Sequence, residues 1–189
     1  MPGEAADGRN DVGGEESPHP DYAERHDMKR VLLTGMSGTG KSRVILELAE
    51  RGYKAVDTDS DAWCVWTTAE DGPDWVWRED RMRHLLATKD ADVLFVSGCK
   101  SNQGKFYGQF DHIVLLSAPI RVMMERIADR MDNDYGKRPE ELAEILGYRE
   151  TVEPLLRKGA SLEVDTDAPI EEVIGTILDH VRPLGNSSV

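Results

Sequence analysis

From Lys29 to Val181, short apolar runs alternate with stretches whose apolar residues recur at helical spacing. "RVLLT", "YKAVDTD", "DVLFVSG", "HIVLLSA" and "SLEVDT" read as strands, rich in β-branched and aliphatic residues. "DVLFVSG" is the most apolar of them and belongs at the centre of a sheet, covered on both faces. Ser42 to Arg51 carries Val44, Ile45 and Leu48 on one helical face and stops at Gly52. Pro119 opens a second helix, Ile120 to about Met131. A third starts at Pro139, turns Leu142, Ile145, Leu146, Val152, Leu155 and Leu156 to one side, and bends near Pro154. Pro169, Glu171 and Glu172 suit the first turn of a closing helix that presents Ile170, Val173, Ile174, Ile177 and Val181 to the sheet.

Strand alternating with helix predicts an α/β fold of three layers: a five-stranded parallel sheet, flanked by helices through right-handed crossovers. Two pieces interrupt the alternation. "SDAWCVWTTAEDGPDWVWREDRMRHLLA" holds all four tryptophans and closes on an amphipathic stretch in which Trp77, Arg81, His84 and Leu85 share spacing, so a small helical insertion is expected over about 60–90. "DNDYGKRP" is a polar, glycine-containing break. Ligands of such sheets bind beyond the carboxyl ends of the strands, where each of the polar clusters falls.

Composition adds limits. The stretch 1–27 is rich in Gly, Glu, Asp and Pro and nearly free of large aliphatic residues, so it is expected to be a disordered acidic tail, with the domain over 28–189. The tail has neither the apolar run of a signal peptide nor the make-up of a transit peptide, and reads as an inert solubilising extension before a natural start at Met28. A net charge of -13 argues against nucleic acid as a partner, because that affinity comes from clustered Lys and Arg. Any phosphate has to be met by a few local cations. Cys64 and Cys99 have no paired spacing, which fits a reducing cytoplasm and gives no zinc cluster or disulfide framework. Cys99 lacks a neighbouring base and reads as a packing residue. No run has transmembrane length, so no membrane partner is expected.

The chemistry begins at "GMSGTGKS", which fits G-x-x-x-x-G-K-[ST] in full between a strand and a helix. Gly35, Gly38 and Gly40, with Thr39 among them, let backbone N–H groups turn inward around phosphate oxygens. The next helix aims its positive end at the anion, Lys41 adds a mobile charge, and Ser42 offers a hydroxyl to Mg²⁺. After the second strand, "VDTDSD" sets Asp57, Asp59 and Asp61 at alternate positions. Beside a γ-phosphate, one carboxylate can hold a magnesium-bound water while another takes the proton of an acceptor hydroxyl.

The phosphate loop, "VDTD", "WRED", "SGCK" and "RIADRMDNDYGKRP" together resemble the shikimate kinase, gluconate kinase and adenylate kinase group of P-loop phosphotransferases, over Lys29 to Val181. The resemblance implies ATP and Mg²⁺ as cofactors, with Ser42 and Asp57 on the metal and Asp59 on the acceptor alcohol. It implies that Arg78, following Trp77, grips the acceptor, with Arg81 second and Gly98 and Lys100 in the acceptor-side turn. It further implies a short lid over about 130–139, with Arg126 flanking the base and Arg130, Arg138 and Lys137 reaching the phosphates. Lys41, Asp59 and Arg130 are then the catalytic set. "SGCKSNQG" departs from the triple glycine of a true shikimate kinase, and Lys100 lies nearer the basic turn of gluconate kinase-like proteins. Of the tryptophans at 63, 66, 75 and 77, two are expected to build a satellite core and the others a ring-stacking wall for an acceptor bulkier than shikimate.

The expectation is therefore a cytoplasmic kinase, monomer or homodimer, that moves the γ-phosphoryl group of ATP to a hydroxyl of a small molecule, a natural product or antibiotic rather than shikimate. Two alternatives stay open. A nucleoside or nucleotide kinase needs convergent cations, which Arg78, Arg81 and Lys100 supply; a nucleotide-gated regulatory protein needs little catalysis.

Overall fold

The computed structural model describes residues 28–70, 72–131 and 133–182, so the expected disorder of 1–27 lies outside the described residues. The five apolar runs become one parallel sheet. Its strands are β1 (Lys29–Thr34), β2 (Lys54–Asp57), β5 (Val93–Ser97), β6 (His112–Ser117) and β7 (Leu162–Asp165). They lie in the order β2-β5-β1-β6-β7. Asp57 stands opposite Ser97 at one edge, and Ser117 opposite Asp165 at the other. The order reverses around β1, and the loop that leaves β1 therefore opens into the crevice between neighbouring strand ends.

Alternation along β1 decides which layer each residue joins. Val31 and Leu33 face α1 (Lys41–Glu50) and α6 (Ile170–Val181), packing with Val44, Ile45, Leu48, Val173, Ile174 and Ile177. Leu32 faces the opposite layer, where Leu94, Val96, Trp77, Met82, Leu86 and Phe106 meet. Beside that, α3 (Ile120–Asp129) and α4 (Pro139–Thr151) bury Val122, Met123, Ile127 and Ile145 against Leu115 and Met36. Each such aliphatic side chain contributes about 1.5–3 kcal/mol. Gly52, at φ 87, closes the turn after α1 as its position in the sequence requires. The helix expected to bend near Pro154 breaks at Val152 into α4 and α5 (Glu153–Gly159). Leu155, expected on its buried face, is instead 63% exposed.

The tryptophan-rich insertion corrects the helical reading. It opens as an antiparallel hairpin, β3 (Cys64–Ala69) and β4 (Gly72–Trp77), and only then becomes helical in α2 (Glu79–Leu86). Trp77 ends a strand and does not belong to the helix. The reason is local: Val65, Thr67, Thr68 and Val76 are β-branched, bulky side chains alternate with period two, and Gly72-Pro73 sits at the bend. "SGCKSNQG" likewise leads straight into a 3₁₀ segment, Ser101–Gln109. Among the described residues no helix is long and apolar enough to cross a membrane.

Candidate functional site

The loop Gly35–Gly40 lies between the end of β6 and α3. Gly38 has φ 81, and a Cβ there would stand 2.7 Å from the Met123 carbonyl oxygen, so both conformation and space exclude a side chain. Thr39 is fully buried and braces the loop from inside, donating its hydroxyl to Met36 O at 2.8 Å. Gly40, at φ 84, starts α1 with no side-chain cap, so the first N–H groups of the helix keep their donor capacity for an anion. Lys41 reaches over the loop and donates Nζ to Gly35 O (2.8 Å) and Met36 O (3.0 Å). Burial lowers the pKa of this ammonium; Cys99, Asp59 and Asp57 pull it back up, and Lys100 lowers it. Ser42, the next residue in the same first turn of α1, is exposed.

Beyond the end of β2, Asp57 and Asp59 are exposed and flank the buried Thr58. Asp57 Oδ1 accepts the Asp59 backbone N–H at 3.0 Å, leaving its second oxygen open. An exposed serine hydroxyl and a half-free carboxylate are oxygen donors of the kind Mg²⁺ takes. Among the described residues no group of three or more His, Cys, Asp and Glu gathers for any other metal. Asp59 pairs with Lys100 at 2.5 Å, and that lysine, only 9% exposed, also lies 3.8 Å from the centre of the Trp75 ring. Gly98 lies beneath a pillar in which Trp77 Nε1 donates to Thr58 Oγ1 (2.7 Å) and Thr58 donates to Ser97 O (2.6 Å).

Arg78 donates Nε to Asp61 O (3.2 Å) and Cys64 O (3.1 Å), and Arg81 donates Nη1 to Ala62 O (2.5 Å). Both arginines therefore hold the loop that carries the aspartates. Burial pushes the Cys64 thiol up to about 11, and it donates to Thr58 O at 3.2 Å; Cys99 packs against the α3–α4 cluster.

At the other edge, Arg126 donates to Gly38 O (3.4 Å), to Thr166 Oγ1 (2.8 Å) and to Thr166 O (2.7 Å), joining the phosphate loop to the turn after β7. The remaining lid residues are not brought to the loop. Arg130 donates to Tyr135 O, Arg138 pairs with Glu141, and Lys137 pairs with Asp134 at 3.1 Å. Among the described residues none of these three bonds to Gly35–Ser42.

Sequence reasoning passed over Thr58 and Thr166, both buried at the ends of edge strands. Each donates its N–H to the terminal serine carbonyl of the neighbouring strand, Ser97 or Ser117; the Thr58 hydroxyl donates to Ser97 O as well, while the Thr166 hydroxyl lies between Thr39 O (2.9 Å) and Ser117 O (3.1 Å). The signal was available: V-D-T-D occurs at 56–59 and again at 164–167.

A family profile described as AAA domain matches residues 31–147. No curated protein matches the sequence significantly. Among solved structures, shikimate kinase from Acinetobacter baumannii in complex with shikimate superposes with a TM-score of 0.59 at 15% identity, over 85% of this chain and 97% of that one. Shikimate kinase from Bacteroides thetaiotaomicron gives 0.60 at 18% identity, over 81% and 98%. An unliganded sugar kinase from Janibacter sp. HTCC2649 gives 0.51 at 21% identity, over 82% and 96%. With the family profile covering more than half its length and the phosphate loop complete, the chain belongs to the AAA-domain family and has the fold of the P-loop small-molecule kinases.

Proposed function

We propose that the protein is an ATP- and Mg²⁺-dependent kinase that phosphorylates a hydroxyl of a small molecule. One observation carries the reading. A complete phosphate loop with the Lys41 ammonium over its carbonyls, and a carboxylate paired with a lysine, Asp59 with Lys100, both lie beyond the carboxyl ends of strands of the one parallel sheet. Phosphoryl transfer asks for in-line placement and cancellation of charge more than covalent help. The N–H groups at the start of α1 and Lys41 bind the β- and γ-phosphates. Ser42 and Asp57 would hold Mg²⁺, which would offset charge on the transferred group. Asp59 orients the acceptor hydroxyl and takes its proton as the acceptor oxygen bonds to γ-phosphorus and the bond to the bridging oxygen breaks, releasing ADP. Lys100 fixes the Asp59 carboxylate, and Arg126 flanks the base. Arg130 and Arg138 reach the phosphates once the segment around them closes.

The acceptor is a small hydroxylated molecule other than shikimate, a natural product or antibiotic, since Lys100 and Trp75 occupy the ground beside Asp59. A nucleotide acceptor is disfavoured because Arg78 and Arg81 are engaged by loop carbonyls. The test follows labelled γ-phosphate from ATP into a metabolite and antibiotic library. Lys41→Ala is expected to lose about a hundredfold or more of the transfer rate, and Asp59→Asn to lose transfer while keeping ATP binding. Unchanged turnover in Lys41→Ala refutes the mechanism. Full biological function in Asp59→Asn favours a nucleotide-gated regulator.

A further inference from the structure

The hairpin carries a feature that phosphate chemistry does not use. Trp66 and Trp75 stand directly opposite each other on β3 and β4, with ring centres 6.3 Å apart and planes tilted by 31°. Side chains two apart on a strand share a face, so this pair continues the face of Cys64 and Trp77, which are buried at the hairpin's base. The base of the face is core, and its outer half overhangs the ends of the sheet strands. Trp75 is half-buried, and the Lys100 ammonium that touches its ring also holds Asp59. Trp66 is 67% exposed. The overhang thus adjoins the Asp59–Lys100 pair through the Trp75 ring.

A single apolar side chain at the surface needs no explanation, but two adjoining indoles beside a paired carboxylate and ammonium do. Their neighbours give them a use. We propose that Trp66, backed by Trp75, is a stacking shelf for the phosphoryl acceptor, and that the acceptor is an alcohol borne on a ring. The ring face lies on the indole while the hydroxyl reaches Asp59. The inference rests on the kinase reading above and narrows its substrate class. The shared chemistry is a flat, weakly polar ring face, offered by an aromatic heterocycle or by the C–H face of a pyranose.

The test compares transfer from labelled ATP to adenosine, to methyl α-D-glucopyranoside and to the acyclic polyol sorbitol, in wild type, Trp66→Ala and Trp66→Phe. A ring alcohol is expected to be preferred. Its KM is expected to rise about tenfold in Trp66→Ala, the scale of one lost stacking contact, with kcat within about twofold and most of the loss restored by Trp66→Phe. Which ring accepts phosphate separates heterocycle from pyranose. Tryptophan fluorescence titrated with the same ring compounds separates this inference from the kinase reading. Saturable quenching in wild type that is absent from Trp66→Ala supports the shelf even if no compound is phosphorylated. Preference for sorbitol, an unchanged KM for the ring alcohol in Trp66→Ala, or neither quenching nor turnover with any ring compound overturns it.

Discussion

Replacing Gly98 by alanine tests how the tryptophan hairpin is held to the sheet. The added Cβ would lie 2.4 Å from Thr58 Oγ1 and 2.8 Å from Trp77 Cζ2, inside any real carbon contact. Neither neighbour can yield easily. Trp77 is 1% exposed and packs edge-on against Phe106 at 5.8 Å, while the Thr58 hydroxyl is tied to Ser97 O and to the Trp77 N–H. Overpacking of this kind costs about 1–3 kcal/mol. If Thr58 rotates away to relieve it, one or two buried hydrogen bonds go as well, at about 1 kcal/mol each. The total is about 2–5 kcal/mol. In a domain of this size each kcal/mol moves Tm by about 2–4 °C, so the melt should fall by roughly 4–20 °C. Calorimetry with and without a non-hydrolysable ATP analogue measures it. Because the clash lies between Asp57 and Asp59, the folded variant should also lose transfer rate while still binding nucleotide. A Tm within about one degree of wild type would refute the reasoning, for it would mean that Thr58 and Trp77 are not a rigid pillar.

Two further outcomes use the same structure. Gly175 lies within α6 with nothing within 4 Å of its would-be Cβ, so Gly175→Ala should stabilise by about 0.5–1 kcal/mol in urea titration, and destabilisation would show an unseen neighbour. The His112 imidazole is held below its ordinary 6.5 by burial first and then by His180 and Lys29, with Asp111 opposing. A lowered folded-state value means the unfolded protein binds the proton more readily, so this contribution to stability is intact above 6.5 and is lost as pH falls through the window below it. His112→Asn should flatten that slope in melts across the window, and an unchanged slope would assign it elsewhere.

The order of strands and helices was legible because apolar runs of a parallel sheet are covered on both faces and stand out from amphipathic helices. The phosphate loop was legible because its glycines, lysine and serine all answer to one bound anion. The hairpin was not read, although Cys64, Trp66, Trp75 and Trp77 alternate, because four tryptophans near a binding region draw attention to rings and away from period two. Lys100 was read as an acceptor contact, but its pairing with Asp59 and Trp75 depends on β2, β4 and the end of β5 meeting in space. No spacing along the sequence encodes that meeting. Arg126 was placed beside the base by the family resemblance; its anchor, Thr166, lies 40 residues onward in the turn after β7.

The two V-D-T-D segments explain how those distant residues come to matter together. They end β2 and β7, the two edges of the sheet, and in each the first aspartate turns its Oδ1 to the N–H two residues later, at 3.0 and 2.9 Å. The threonine between is buried and bonds inward to the neighbouring strand, while a long side chain from outside the sheet donates to its hydroxyl: Trp77 at β2 and Arg126 at β7. An edge strand has a partner on one side only, so its end is free to fray. Here the threonine ties each end to its inner neighbour and, through its hydroxyl, to the layer above it. At β2 that layer is the hairpin carrying the tryptophans; at β7 it is α3 and, through Gly38, the phosphate loop. The two segments thus fix the hairpin at one edge and the phosphate loop at the other, against a common sheet. The in-line transfer proposed above would require both to hold their distance without help from the ligands.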